Sequence, residues 1–291
     1  MTWFGPVSTL GECPRWDAMT GTLTWVDIDG GTLHRAALDG DDRRTRSVHI
    51  DAPLAGALAV DDKNYVVALG TDLVSWSEID GLGDRIQVLK PAGPAPAVRL
   101  NEAVTDPHGR IWVGSMAYDW TPGTGGYFVL ESDGRVRRVI TGRTISNGMG
   151  WSPDGTVMYT TETRPGRITA WKVGADGDPV EPWTVLDADG YDGSPDGLAV
   201  DADGNLWSAF AGGGHVTCFS PLGRVLHRVE VPVPLTTSCC FAGPDRDRLI
   251  VTTGTKRLDA AALDRFPESG RIWDAGRVGA VGAKLTRVGE E

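Results

Sequence analysis

The chain has 291 residues, with 28 Lys+Arg against 39 Asp+Glu, a formal charge of −11, 39 Gly, 18 Pro, 11 Trp and only 4 Cys. At 23% charged and 41% hydrophobic it is ordinary for a globular protein, which sets disorder aside; the length admits two domains or one large repetitive all-β or barrel domain. The acidic balance argues against a nucleic-acid or anionic-membrane surface, because binding phosphates takes clustered Lys and Arg and only short patches such as Arg43-Arg44 occur.

The opening MTWFGPVSTLGECPRWD has no basic segment followed by an apolar run, and no window approaches the roughly 20 apolar residues of a membrane span. The expectation is a soluble, cytoplasmic protein without a signal peptide. Cys13, Cys218, Cys239 and Cys240 are too few for a disulfide framework and lack zinc-site spacing, so they read as reduced thiols that mostly fill the core.

Glycine recurs with Asp, Pro or Asn just before a short apolar-aromatic run, the form of a turn feeding a β-strand. In chain order these units are MTGTLTWVDI at Met19, DDKNYVVAL at Asp61, DPHGRIWVGS at Asp106, SPDGTVMYTT at Ser152, DADGNLWSAF at Asp201 and PDRDRLIVTT at Pro244. Long helical patterns are missing. Taking Trp25, Tyr65, Trp112, Tyr159, Trp207 and Ile250 as the register gives steps of 40 to 48 residues, the period of β-propeller blades. Six such units fill residues 1–291 as one all-β domain, a six-bladed β-propeller with a central metal-binding channel. Unrelated hairpins in a two-sheet sandwich would not predict a constant period.

In a propeller the innermost strands surround a channel, so equivalent repeat positions converge in space. Counting back 11 to 13 residues from each register position lands on Glu12, Leu54, Asn101, Asn147, Asp196 and Cys239. Four of these carry side-chain oxygen donors, which around an axis suit a hard cation such as Ca²⁺; Mg²⁺ and Mn²⁺ fit the same donors, while Zn²⁺ generally prefers His and Cys. The competing explanation is that Asn and Asp precede strands because turns favour them. Asp196 lies in GSPDGLAV, between Gly193 and Gly197, and Asn147 in ISNGMGW. Arg99, two residues before Asn101, shares its face if the segment is extended, where it could bind hydroxyls or a developing negative charge.

Other reactive patterns are thin. The five His are not paired in a zinc-protease spacing, and neither a Gly-x-Ser-x-Gly elbow, a phosphate loop nor a dinucleotide fingerprint is present. His108 reads as a turn residue and Gly212 to His215 as a Gly-rich hairpin.

The segments LGECPRWD, LTWVDIDGGTLHR, VRLNEAVTDPHGRIWVGSM, ISNGMGWSPDGTVMYTTET, SPDGLAVDADGNLWSAFAGGGHVTCFSPLGRV and LTTSCCFAGPDRDRLIVTT together resemble the SMP-30/gluconolactonase/LRE-like (regucalcin-like) family over nearly the whole chain. The resemblance implies a six-bladed propeller with one divalent metal in the channel, held by Glu12, Asn147 and Asp196, and hydrolysis of sugar lactones. It also implies substrate contacts from Arg99, Asn101 and Asp119. The sequence departs from the family pattern at Glu102 and Ala103, where Asp-Gly is usual, and at Glu162, where Asp is usual.

The expected function is metal-assisted opening of an aldonolactone, with Asp196 directing or deprotonating the attacking water and a small-molecule lactone as partner. Calcium is the favoured ion, with Zn²⁺, Mg²⁺ or Mn²⁺ as alternatives, and the protein is expected to be a monomer or small homo-oligomer. Two other readings stand beside it: a non-catalytic channel binding calcium or a small ligand, and a hydrolase of another ester or phosphoester at the same metal.

Overall fold

A computed structural model describes residues 1–38, 44–90 and 97–290; Arg43 of the short basic patch lies outside them. The strands form six four-stranded antiparallel sheets. Their innermost strands are Gly11–Asp17, Leu54–Ala59, Val98–Thr105, Ser146–Trp151, Ser194–Val200 and Thr236–Ala242. Each touches the innermost strand of the sheet before and after it, and the last touches the first. The sheets are therefore blades arranged in a ring, a six-bladed β-propeller. Blade six is made of three late strands and the first strand of the chain: Thr2–Phe4 pairs with Ile272–Arg277, with Trp3 opposite Trp273.

All six register residues fall on the second strand of a blade: Thr22–Asp27, Asn64–Leu69, Ile111–Ala117, Val157–Glu162, Leu206–Ala211 and Arg248–Thr253. Their side chains fill the space between blades. Trp25 packs with Phe4, Cys240 and Ile250 of blade six, Trp112 with Met149 and Met158 of blade four, and Tyr159 with Leu198 and Phe210 of blade five. The outer strands face water, as in Val225–Glu230, where only Val229 is less than exposed. A large residue is thus required once per repeat, and the sequence period follows.

The turn signatures have an equally local cause. In DPHGRIW, Asp106 Oδ1 accepts from the backbone N–H groups of His108 and Arg110, and Oδ2 accepts from Arg110 Nε at 2.7 Å and Trp112 Nε1 at 2.9 Å. In DADGNLW, Asp201 does the same for Asp203, Asn205 and Trp207 Nε1. One carboxylate closes the turn and satisfies the buried indole N–H of the next strand. This explains the recurring pairing of Asp with an aromatic six residues on.

Opposite the end where the inner strands begin, residues 281–289 cross the ring. Val281 accepts from Ala202 N–H, Gly282 donates to Arg246, Ala283 to Val200, Val288 to Ala59 and Gly289 to Gly109. A cavity of about 480 Å³ lies between this segment and the channel, lined by Arg15, Met149, Trp151, Cys239, Phe241 and Leu285. All four cysteines are buried free thiols. The helix Ala260–Arg265, capped by Asp259, was not expected from the sequence. Among the described residues no helix is long and apolar enough to cross a membrane.

Candidate functional site

Every inner strand carries one irregularity in its pairing with the second strand, at Glu12/Arg15, Leu54/Gly56, Leu100/Glu102, Ser146/Met149, Pro195/Leu198 and Thr236/Ser238. Such bulges place an extra residue on one strand and re-aim its side chain. Asn101, Asn147 and Asp196 lie within these bulges, and Glu12 immediately precedes Cys13, whose φ of 50° makes the first one. Glycine follows Asn147 and Asp196 for a packing reason. A Cβ on Gly148 would sit 2.5 Å from Leu198 N, and one on Gly197 would sit 2.6 Å from Ser238 Cα. Neighbouring inner strands come too close there for any side chain. In blades two and six the bulged residues are Ala55 and Thr237, so the repeat count falls one residue early at Leu54 and two late at Cys239.

Glu12, Arg99, Asn101, Asn147 and Asp196 are all buried, at 4–7% exposure. Asn147 is fixed at two points, one of them through a tyrosine that is itself anchored. Its N–H donates to Tyr127 Oη at 3.1 Å, Tyr127 Oη donates to Thr161 O, and Asn147 Nδ2 donates to Thr163 Oγ1 at 3.0 Å. Asn101 Nδ2 donates to Ser146 O at 3.0 Å and ties blade three to blade four. Arg99 Nη1 donates to Leu100 O at 2.9 Å, and its guanidinium lies 5.9 Å from the Tyr118 ring centroid. Asp119 is placed differently. It is exposed in the following turn, with Oδ1 accepting from Thr121 N–H at 3.0 Å.

Charge at this site is one-sided. Burial, then the Asp196 and Glu102 carboxylates, hold Glu12 well above the usual carboxylate range, while Cys13 N–H and Arg99 oppose the rise. Burial and Glu102 raise Asp196, against Arg99. Burial pushes Glu102 up to about 7, against Arg15 and hydrogen bonds from Cys13 and Ala103. Burial pulls the Arg99 guanidinium down, and Tyr118, Asp29, Glu12 and Asp196 resist that shift. Glu102 is thus a third carboxylate at the site, which sequence reasoning noted only as a departure from the family pattern. The bulge that carries Asn101 also brings Glu102 into electrostatic reach of Glu12 and Asp196, and nothing in the residue pattern marks it.

Two oxygens, Asn147 Oδ1 and Asp196 Oδ1, are buried without any hydrogen-bond partner. Orphaned acceptors in a desolvated site normally cost a few kcal/mol unless a cation or water satisfies them. The donors are all oxygen, and the carboxylates repel one another, so the set fits a hard divalent cation. Among the described residues no three His, Cys, Asp or Glu side chains form a ligand group by themselves; the candidate set needs the Asn147 amide.

The fold and this site define a propeller with a carboxylate-rich cluster of buried oxygen donors near the start of its inner strands. The SMP-30/Gluconolactonase/LRE-like family model matches residues 10–255, and the chain belongs to that family. It is 32% identical over 270 residues to a 6-deoxy-6-sulfogluconolactonase of Pseudomonas putida, covering 91% of this chain and 90% of that one. It is 30% identical over 285 residues to regucalcin of Xenopus laevis, covering 95% and 94%. Among solved structures, a calcium-binding regucalcin of Agrobacterium tumefaciens superposes with a TM-score of 0.87 at 26% identity, covering 98% of this chain and 95% of that one.

Proposed function

We propose that the protein is a metal-dependent hydrolase that opens sugar lactones, with one divalent cation, calcium foremost, held by Glu12, Asn147 and Asp196. The observation that carries this reading is the pair of partnerless buried oxygens, Asn147 Oδ1 and Asp196 Oδ1, beside carboxylates that repel one another. A lactonase among the relatives supports the substrate class. Mg²⁺, Mn²⁺ or Zn²⁺ could take the same place.

A divalent cation bound there supplies Lewis-acid polarisation of a carbonyl oxygen and neutralises the carboxylates. The chain's own groups supply the rest. Asp196 orients a water and takes up its proton as the oxygen adds to the acyl carbon. Arg99 and Asn101, on one inner strand, hold the ring hydroxyls, and Asp119 reaches the hydroxyls that remain at the rim. Burial excludes bulk water, so these contacts act in a medium where charge–dipole interactions are strong. Net, water is added across the acyl–oxygen bond, giving an open aldonate and one proton. The partner is this small molecule; with a net charge of −11, nucleic acid and membranes play no part in the reading.

Acid release from a panel of sugar lactones, followed with a pH indicator with and without chelator, tests the proposal. Chelator-sensitive hydrolysis of at least one lactone, lost in Asp196→Ala, is the expected result. Cation binding without acid release from any lactone would instead favour a calcium-binding role, the property named for the Agrobacterium relative.

A further inference from the structure

Above the site, the side chains of three blades meet on one ring. Arg164 Cζ lies 4.2 Å and Arg257 Cζ 4.0 Å from the Trp120 ring centroid. Both guanidiniums therefore pack against the same indole. The three residues come from loops joining second and third strands, in blades three, four and six. Those loops leave the ring at the end where the inner strands begin.

Each member is linked to the site through a near neighbour. Trp120 is two residues from Tyr118, whose ring lies against Arg99. Arg164 follows Thr163, which holds the Asn147 amide. Arg257 follows Lys256, paired at 2.7 Å with Asp29, whose charge acts on Arg99. The assembly therefore stands at the mouth.

Its charge is uncompensated. Several other arginines meet carboxylates, as Arg110 meets Asp106 and Arg137 meets Glu131 and Asp178. Among the described residues, the contacts of Arg164 and Arg257 are those with the Trp120 ring. Stacking uses the face of a guanidinium and leaves its in-plane N–H donors free, the edge that recognises oxyanions in a fork. Trp120 and Arg257 also have φ of 58° and 67°. Bulky side chains adopt that left-handed backbone only where the surroundings impose it, and such positions cluster at ligand clamps.

We propose that Arg164 and Arg257, gathered on Trp120, bind an oxyanion on the substrate, so that the preferred lactones carry a terminal phosphate, sulfonate or carboxylate group. This rests on the lactonase reading of the site below and names its substrate class.

The experiment compares kcat/KM for neutral gluconolactone, the same lactone with a terminal phosphate, and one with a terminal sulfonate. The proteins are the wild type, Arg164→Gln, Arg257→Gln and Arg164→Lys, each loaded with the same divalent cation. The wild type is expected to favour an anionic lactone by about tenfold or more, the scale of charge-assisted hydrogen bonds. The ratio of anionic to neutral kcat/KM should fall by about tenfold in each Gln variant, fall less in the Lys variant, and shrink with added salt in the wild type. The phosphate and sulfonate arms report which oxyanion fits. A wild type without preference, or variants in which both rates fall together at an unchanged ratio, overturns the proposal and leaves the stack as a clamp between blades. Calorimetric binding of terminally phosphorylated gluconate against gluconate reads the same site without turnover. Tighter binding of the phosphorylated acid, lost in the Gln variants, upholds the anion site even if no lactone is opened; equal affinities overturn it.

Discussion

Thr163 Oγ1 accepts the Nδ2–H of Asn147 at 3.0 Å and so decides which end of the amide faces the channel. With the nitrogen engaged, Oδ1 is the atom left without a partner. A Thr163→Val variant keeps the shape and removes the acceptor. Cation affinity should fall roughly 10–100-fold, as it does when the support of a ligand is lost, while the melting temperature in chelator barely moves. Calorimetric titration with Ca²⁺ checks this.

Asp196 burdens the cation-free fold, because its desolvated carboxyl lies within reach of Glu102 and Glu12. Asp196→Asn should therefore melt higher than the wild type in chelator and gain little from added cation. The wild type should gain about 2.7 kcal/mol at a cation concentration 100 times its Kd. Thermal melts with and without Ca²⁺ separate the two. A wild type indifferent to divalent ions would remove the metal from the site.

The same carboxylates set a pH dependence. Burial lifts Glu102 from 4.5 to about 7 in the folded protein, and Glu12 and Asp196 move in the same direction. A raised folded-state pKa means the native state binds more protons than the unfolded chain. The stability this contributes is complete below the unfolded value and is lost as pH climbs through the folded one. In chelator the melting temperature should decline as pH rises from 4.5 through about 7. Glu102→Gln should flatten that decline, and bound cation should oppose it.

Asp106 tests the turn device. Its carboxylate is buried at 1% exposure and holds both Arg110 Nε and Trp112 Nε1. Asp106→Ala leaves the Trp112 indole N–H and the Arg110 Nε–H without their acceptor, while the other nitrogens of Arg110 keep Glu131, Asp176 O and Gly177 O, and should cost about 2 kcal/mol. Denaturant unfolding measures the loss, and lactone hydrolysis by the folded fraction should persist.

The fold was legible because its two repeating demands each need a particular residue type. The wedge between blades needs a large side chain such as Trp112, and the turn before it needs an acceptor such as Asp106. Both recur at a fixed distance, so the period survives in the sequence. The inner-strand positions were legible to the nearest bulge: Asn101, Asn147 and Asp196 lie in bulges where the count fell, Glu12 lies one residue before its bulge, and in blades two and six the bulged residues are Ala55 and Thr237 where the count fell on Leu54 and Cys239. Glu102 was hidden because a bulge overrides the alternation from which a facing direction is read. The stack of Trp120 with Arg164 and Arg257 was hidden for another reason, since it joins loops whose meeting depends on closure of the ring.

That closure ties the start of the chain to its end. Thr2–Phe4 completes a blade whose other strands begin at Thr236, and it pairs with Ile272–Arg277. During synthesis Thr2–Phe4 must therefore wait, its edge unpaired, until Ile272–Arg277 has left the ribosome. Asp29, Arg99 and Asn147 can be made and locally folded long before that. The mouth to which Arg257 contributes takes shape only once Arg248–Thr253 and Ile272–Arg277 have joined the ring, so a nascent or truncated chain that lacks these strands carries the ligands without the rim.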